Sequence, residues 1–125
     1  YMKETPTKTF AVCDAAMTEL IRPALYQAHH NVLPIIEGGE TRRVDVVGPV
    51  CETGDFLARD RDLAISSGDL IAVMDCGAYG AVMASTYNAR PRAAEVLVDG
   101  TEFYLVRERE TLEQLFLGEH RLPKN

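Results

Sequence analysis

A thiol and a carboxylate stand side by side in the stretch GPVCETGDFLARDRDL, residues 48–63, as Cys51 and Glu52. Gly48 and Pro49 stop the apolar run before them, so the pair falls on a loop, where functional residues concentrate. A thiol of ordinary pKa, about 8.5, is mostly protonated at neutral pH and can deliver a proton to a carbanion-like centre; Cys51 is the candidate donor. Glu52 can accept hydrogen bonds from a substrate ammonium. An arbitrary Cys-Glu pair is more often a partly buried thiol beside a surface carboxylate. The loop position, the backbone freedom expected of Gly54 and the apolar anchor Phe56-Leu57 shift this pair towards chemistry.

Arg22 and Tyr26 lie four residues apart across a turn begun by Pro23, so both can lean to one side of it. A guanidinium fork and a phenol form a receptor for a carboxylate, the bland alternative being an exposed arginine and a core tyrosine. Tyr79, between Ala78 and Gly80, is expected at a helix N-terminus, where backbone N–H groups favour an anion and a phenol can bond a phosphate oxygen. A tyrosine packed among small residues is the equal alternative. His29 and His30 are adjacent, point different ways and have no third ligand spaced to join them, so metal binding is not expected. Cys13 and Cys76 read as core thiols, and the RERE run at 107–110 as a solvated strand end.

The elements that must position these groups are short. An apolar run in KTFAVCDAAM, 8–17, predicts a buried strand ending near Asp14, and Pro23 predicts a helix over about 23–30. NVLPII is extended, EGGETRR a turn, RRVDVVGP (42–49) a strand, and SSGDLIAVMDC (66–76) a turn followed by a strand. Residues 77–88 suit a short helix ending at Asn88. Residues 93–109 predict a hairpin turning on Asp99-Gly100 in a type I′ turn, and Thr111 with Gln114 forms a capping box for a terminal helix. Five strands and three short helices make a mainly β domain, a small barrel or sandwich decorated by helices.

Composition bounds the function. A chain of 125 residues, 46% hydrophobic and 26% charged, suits one globular domain. A net charge of −6, with basic residues scattered, argues against nucleic acid or an anionic membrane as partner. No apolar run approaches the roughly 20 residues that span a bilayer, and YMKETPTKTF has no signal-peptide core. Three widely spaced cysteines fit free thiols in a reducing, cytoplasmic setting.

Three motifs in order, DAAMTELIRPALYQAHH, GPVCETGDFLARDR and GDLIAVMDCGAYGAVMASTYNARPRAAEVLVDG, resemble the C-terminal β-domain of the diaminopimelate decarboxylases from about Thr9 to about Glu108. These are group IV decarboxylases of the alanine racemase-like fold, dependent on pyridoxal 5'-phosphate. The resemblance implies conversion of meso-2,6-diaminopimelate to L-lysine and carbon dioxide, the last step of lysine biosynthesis, by a homodimer with shared active sites. By the same resemblance Cys51 is the proton donor, Glu52 holds the substrate's distal ammonium, Arg22 and Tyr26 grip its distal carboxylate, and Tyr79 meets the cofactor phosphate and the substrate. The family's N-terminal barrel, with the lysine that binds the cofactor, has no counterpart here; Lys3, Lys8 and Lys124 match no such lysine. The chain is therefore expected to be the C-terminal domain over residues 1–125, inactive alone, with an edge open to dimerisation or strand exchange. A related decarboxylase acting on ornithine or arginine, and a stand-alone β-module that binds an amino-acid ligand without chemistry, remain as alternatives. Ornithine decarboxylases carry Asp after the cysteine, so Glu52 with Arg22 favours diaminopimelate.

Overall fold

The computed structural model describes residues 1–123, which leaves Lys124 outside the described residues, and it separates into two compact units that divide after Ala84. The first unit contains β1 (Met2–Glu4), β2 (Thr9–Val12), α1 (Arg22–Tyr26), β3 (Val32–Pro34), β4 (Arg42–Val47), β5 (Phe56–Leu63), β6 (Ile71–Val73) and α2 (Gly77–Ala81). The second contains β7 (Glu95–Asp99), β8 (Glu102–Arg107) and two single 3-10 turns, Tyr87–Ala89 and Glu113–Phe116. Strand outweighs helix, as expected for a mainly β domain with short helices, and the main sheet is mixed.

The main sheet has the order β1-β2-β4-β5. Its central pair, β2 and β4, is parallel, with Ala11 opposite Val46, and the chain between them crosses over through α1 and β3. Side chains alternate across a strand, so Val44 and Val46 point into the core, at 1% and 0% exposure. Ala11, Leu20, Val32, Leu57, Ala58, Leu63 and Ile65 complete that core. Asp45, between the two valines, faces the other way and is nevertheless buried. Its carboxylate accepts from Lys8 Nζ at 2.6 Å and from the Asp60 backbone N–H at 2.7 Å.

That second bond explains a strand that the residue pattern hides. Phe56–Leu63 carries the charge run Arg59-Asp60-Arg61-Asp62, which reads as solvated loop. It is instead the longest strand, paired antiparallel with β4. Val44 faces Arg61 while Val46 faces Ala58, so β5 accommodates an extra residue there. Asp60 sits at φ 54° in this bulge, held by Asp45. The bulge breaks the alternation, buries Leu57, Ala58 and Leu63, and turns the charges outward, where Arg43 pairs with Asp60 at 3.4 Å. The N-terminal strand β1, antiparallel to β2, was likewise hidden by its charged residues.

The helices are shorter than expected. Gln27 adopts a left-handed φ of 55° and stops α1 after Tyr26, well before residue 30. Residues 77–88 form one five-residue helix, with Asn88 itself left-handed at φ 59° within a separate turn. The predicted strand over 66–76 narrows to Ile71–Val73, which pairs with β3.

In the second unit the predicted hairpin forms one residue later than its Asp-Gly signature suggests. Asp99 pairs with Glu102, so Gly100-Thr101 make the turn, and of the two only Gly100 has positive φ, 59°. That is the type II′ pattern rather than I′. The capping box is present: Gln114 Oε1 accepts from the Thr111 N–H at 2.7 Å and Thr111 Oγ1 from the Gln114 N–H at 3.4 Å, around a 3-10 turn. Among the described residues no helix is long and apolar enough to cross a membrane.

Candidate active site

Cys51 and Glu52 occupy the loop that joins β4 to β5, closed at its base by the Val47–Phe56 pair and by a Gly48 N–H to Asp55 carbonyl bond of 3.2 Å. Both are exposed. The loop is tightly wound: the Glu52 N–H donates to the Val50 carbonyl at 2.8 Å, and the Asp55 N–H to the Glu52 carbonyl at 3.0 Å. Cys51 and Glu52 line one end of an open cleft of about 640 Å³, whose walls also carry Lys3, Lys8, Asp45 and Arg59. Mixed charge of this kind suits a zwitterionic ligand better than an apolar one.

Gly54 is not the conformationally demanding residue of this loop. It is absent from the positive-φ glycines, and a Cβ there would make ordinary contact with Ala24 at 3.7 Å. Gly48 is the position with no room. A Cβ on it would lie 2.4 Å from Asp55 Oδ2, 2.5 Å from Oδ1 and 2.7 Å from the Ala16 Cα.

Arg22 opens α1 and Tyr26 closes it, so the spacing of four puts them one turn apart, with Tyr26 exposed. The Arg22 guanidinium carbon lies 5.5 Å from the centre of the Tyr79 ring, within range of a cation–π contact. Arg22 Nε is buried without a hydrogen-bond partner. An orphaned guanidinium donor beside an exposed phenol is a fit for an anionic group, carboxylate or phosphate. Tyr79 lies in the first turn of α2, as expected, but the helix has five residues and adds little dipole, so the phenol and the neighbouring Arg22 are what this position offers an anion.

Cys76, read from the sequence as a core thiol, is only half-buried and sits just before α2. Burial pushes this thiol up, Asp75 adds to the rise and Arg22 opposes it. Its Sγ is 3.2 Å from the Val73 carbonyl and 3.3 Å from that of Met74. Burial likewise raises the Cys13 thiol, with Asp14 adding to it. His29 and His30 indeed diverge: His29 Nδ1 accepts from Arg61 Nη2 at 2.8 Å, while buried His30 bonds the Met74 carbonyl through Nδ1 at 2.9 Å.

The structure thus joins Arg22 to Tyr79 and Cys51 to Glu52, but the cleft that holds Cys51 and Glu52 has none of Arg22, Tyr26 or Tyr79 on its wall. The residue that the sequence reading missed is Asp55. Its carboxylate is 4% exposed, accepts from the Val50 N–H at 2.7 Å and, across 38 residues, from the Met17 N–H at 2.7 Å. The signal for it was the Thr-Gly-Asp run ending at the loop's exit, which reads as an ordinary turn.

Comparison with known proteins shows the family. Residues 1–77 match the family described as "Pyridoxal-dependent decarboxylase, C-terminal sheet domain". The chain is 58% identical over 125 residues to a diaminopimelate decarboxylase of Pseudomonas aeruginosa, covering 99% of this chain and 30% of that protein. With the enzyme of Vibrio cholerae the identity is 55%, over the same shares of each. Among solved structures, diaminopimelate decarboxylase from M. jannaschii superposes with a TM-score of 0.94 at 39% identity, over 98% of this chain and 29% of that one. The chain spans about 30% of the length of the curated relatives it matches.

Proposed function

We propose a function on one premise: the chain belongs to the pyridoxal-dependent decarboxylases, as their C-terminal sheet domain. Within that family it supplies the proton donor and the distal substrate-binding residues of a diaminopimelate decarboxylase, which converts meso-2,6-diaminopimelate to L-lysine and carbon dioxide. The observation that carries the reading is the Arg22 guanidinium, its Nε buried without a partner and its carbon over the Tyr79 ring at 5.5 Å.

The far end of diaminopimelate is a zwitterion. Arg22 and Tyr26 take its carboxylate and Glu52 its ammonium, so each charge meets its opposite. Tyr79, exposed beside Arg22, is the residue of this chain that reaches the cofactor phosphate and the substrate. Pyridoxal 5'-phosphate, when bound, supplies the electron sink that lets the bond between the α-carbon and its carboxylate break. Cys51 Sγ then gives its proton to the carbon that lost carbon dioxide, forming the new C–H bond and leaving a thiolate that solvent reprotonates. A substrate without the distal carboxylate leaves the Arg22 donors desolvated and unpaired, which is the basis for its rejection.

The separation of Cys51 and Glu52 from Arg22 and Tyr79 in one chain is what two copies sharing their sites would need, each lending its 48–55 loop to the other. The active form is accordingly a homodimer, and the cofactor lysine belongs to a segment outside this chain.

The test uses the full-length protein and follows carbon dioxide from diaminopimelate and from ornithine. Arg22→Ala raises KM for diaminopimelate far more than for ornithine; equal effects on both would remove the grip assigned to Arg22. Cys51→Ala lowers kcat by about 10²- to 10⁴-fold, the usual contribution of a positioned general acid, while cofactor absorbance persists. Loss of the cofactor instead would take the proton-donor role from Cys51.

A further inference from the structure

We infer that Asp55 is the positioning residue for Cys51 and Glu52, a strut that fixes their loop to the turn at 16–20 of its own domain and so sets how the loop is presented to the site it completes; the inference rests on the reading above. Its two carboxylate oxygens divide the work. Oδ2 accepts from the Val50 N–H at 2.7 Å, one residue before the thiol. Oδ1 accepts from the Met17 N–H at 2.7 Å, in the turn that runs into α1.

Both anchor points are themselves rigid. The turn at 16–20 is closed by Glu19 and Leu20 N–H bonds to the Ala16 carbonyl at 3.0 and 3.1 Å. Glu19 Oε2 accepts from the Ala16 N–H at 2.7 Å and from Thr18 Oγ1 at 2.8 Å. Ala16 and Thr18 are 0% and 1% exposed. On the other side, the Asp55 carbonyl accepts from the Gly48 N–H and its own N–H bonds Glu52, so the residue fixes the loop from both ends. Gly48 has no side chain because the Asp55 carboxylate occupies that space, within 2.5 Å of where a Cβ would stand. The loop packs on α1 as well, with Gly54 facing Ala24.

An ionised carboxylate accepts at both oxygens, whereas an amide of the same shape accepts at one and donates at the other. Asp55→Asn therefore keeps the volume and sets one N–H against an NH₂. Displacement of a reacting group by about 1 Å costs on the order of 10²-fold in rate, which is the loss of kcat expected here.

The decisive experiment compares wild-type and Asp55→Asn full-length enzyme, per cofactor-loaded site, with diaminopimelate in D₂O. Three quantities are read: kcat, the stereospecificity of deuterium at the carbon that lost carbon dioxide, and the rate of Cys51 alkylation by iodoacetamide. We expect kcat to fall about 10²-fold. Deuterium becomes distributed over both faces of that carbon, and alkylation changes severalfold. A role in stability alone lowers Tm and leaves deuterium stereospecificity at the wild-type value, and that result would overturn the proposal. A wild-type enzyme that releases no carbon dioxide from diaminopimelate sinks the function assigned above, while the alkylation rates still decide whether Asp55 positions Cys51. If Asp55→Asn does not fold, amide hydrogen exchange in the wild type decides: the Val50 and Met17 N–H groups must exchange at least tenfold more slowly than that of Thr53, and equal rates refute the strut.

Discussion

Two hairpins in this protein are made of similar residues and end in opposite circumstances. In β4–β5 the inward side chains Val44, Val46 and Leu57 are 1%, 0% and 2% exposed. In β7–β8, Val96, Val98 and Phe103 are 54%, 68% and 78% exposed, and no described residue from Ser85 onward is buried. β-propensity makes both hairpins; burial makes only one of them part of a core. β4 has β2 as a second neighbour, and β5 has α1 and β3 packed on it. The second hairpin has two strands and no further layer of its own, a unit that is marginal in water. It is held by cross-strand pairing and by surface ion pairs, Glu95 with Arg107 and Arg92 with Glu110, the latter also bonded through Arg92 Nε at 2.8 Å. Every residue assigned a chemical role lies in the first unit. The role proposed for Cys51 needs a rigid support, and the packed hairpin is the one that carries its loop.

The contrast can be broken by experiment. The largest effect belongs to Leu57→Ala, which removes a fully packed side chain and lowers stability by about 2–5 kcal/mol in denaturant unfolding of the chain. A loss below about 1 kcal/mol would mean that the β4–β5 core is not tightly packed. Next comes acid. Burial pushes the Asp45 carboxyl up, but the bond from Lys8, the Asp60 N–H and the charges of Lys8 and Arg59 outweigh it, so the group ends below its ordinary value. A carboxyl lowered on folding stabilises the fold above its unfolded pKa of about 3.9, and that contribution disappears as pH falls through the folded value. Tm of the wild type should thus drop more steeply below about pH 4 than that of Asp45→Asn. Parallel curves would show that Asp45 does not hold the bulge. The smallest effect is expected of Phe103→Ala in the second hairpin, within about 0.5 kcal/mol for the chain alone, because the ring is already in water. A cost of about 2 kcal/mol would reveal a hidden apolar contact and erase the difference between the hairpins.

The candidate residues were legible in the sequence because reactive side chains keep their identity wherever they lie. Cys51 and Glu52 on a loop, Arg22 and Tyr26 one helical turn apart, and the hairpin at 95–107 all followed from local signals. The misreadings share a cause. β5 was hidden since an outward face of Arg and Asp looks like loop until the bulge that turns it is known. Gly54 suggests backbone freedom because it is a glycine near a reactive residue, whereas the constrained glycine is Gly48, whose side-chain space is taken by the Asp55 carboxylate from the far side of the loop.

By itself, the order of residues determined which groups are present, where the chain turns and which short runs extend, for these depend on neighbours within a few positions. Only the tertiary structure decided that Asp55 meets Met17, that β2 runs parallel to β4, that Asp45 organises a bulge, and that the Arg22 guanidinium lies over the Tyr79 ring. Those contacts join segments 15 to 57 residues apart, so they are selected by how whole layers fit together, and no local pattern of residues records them.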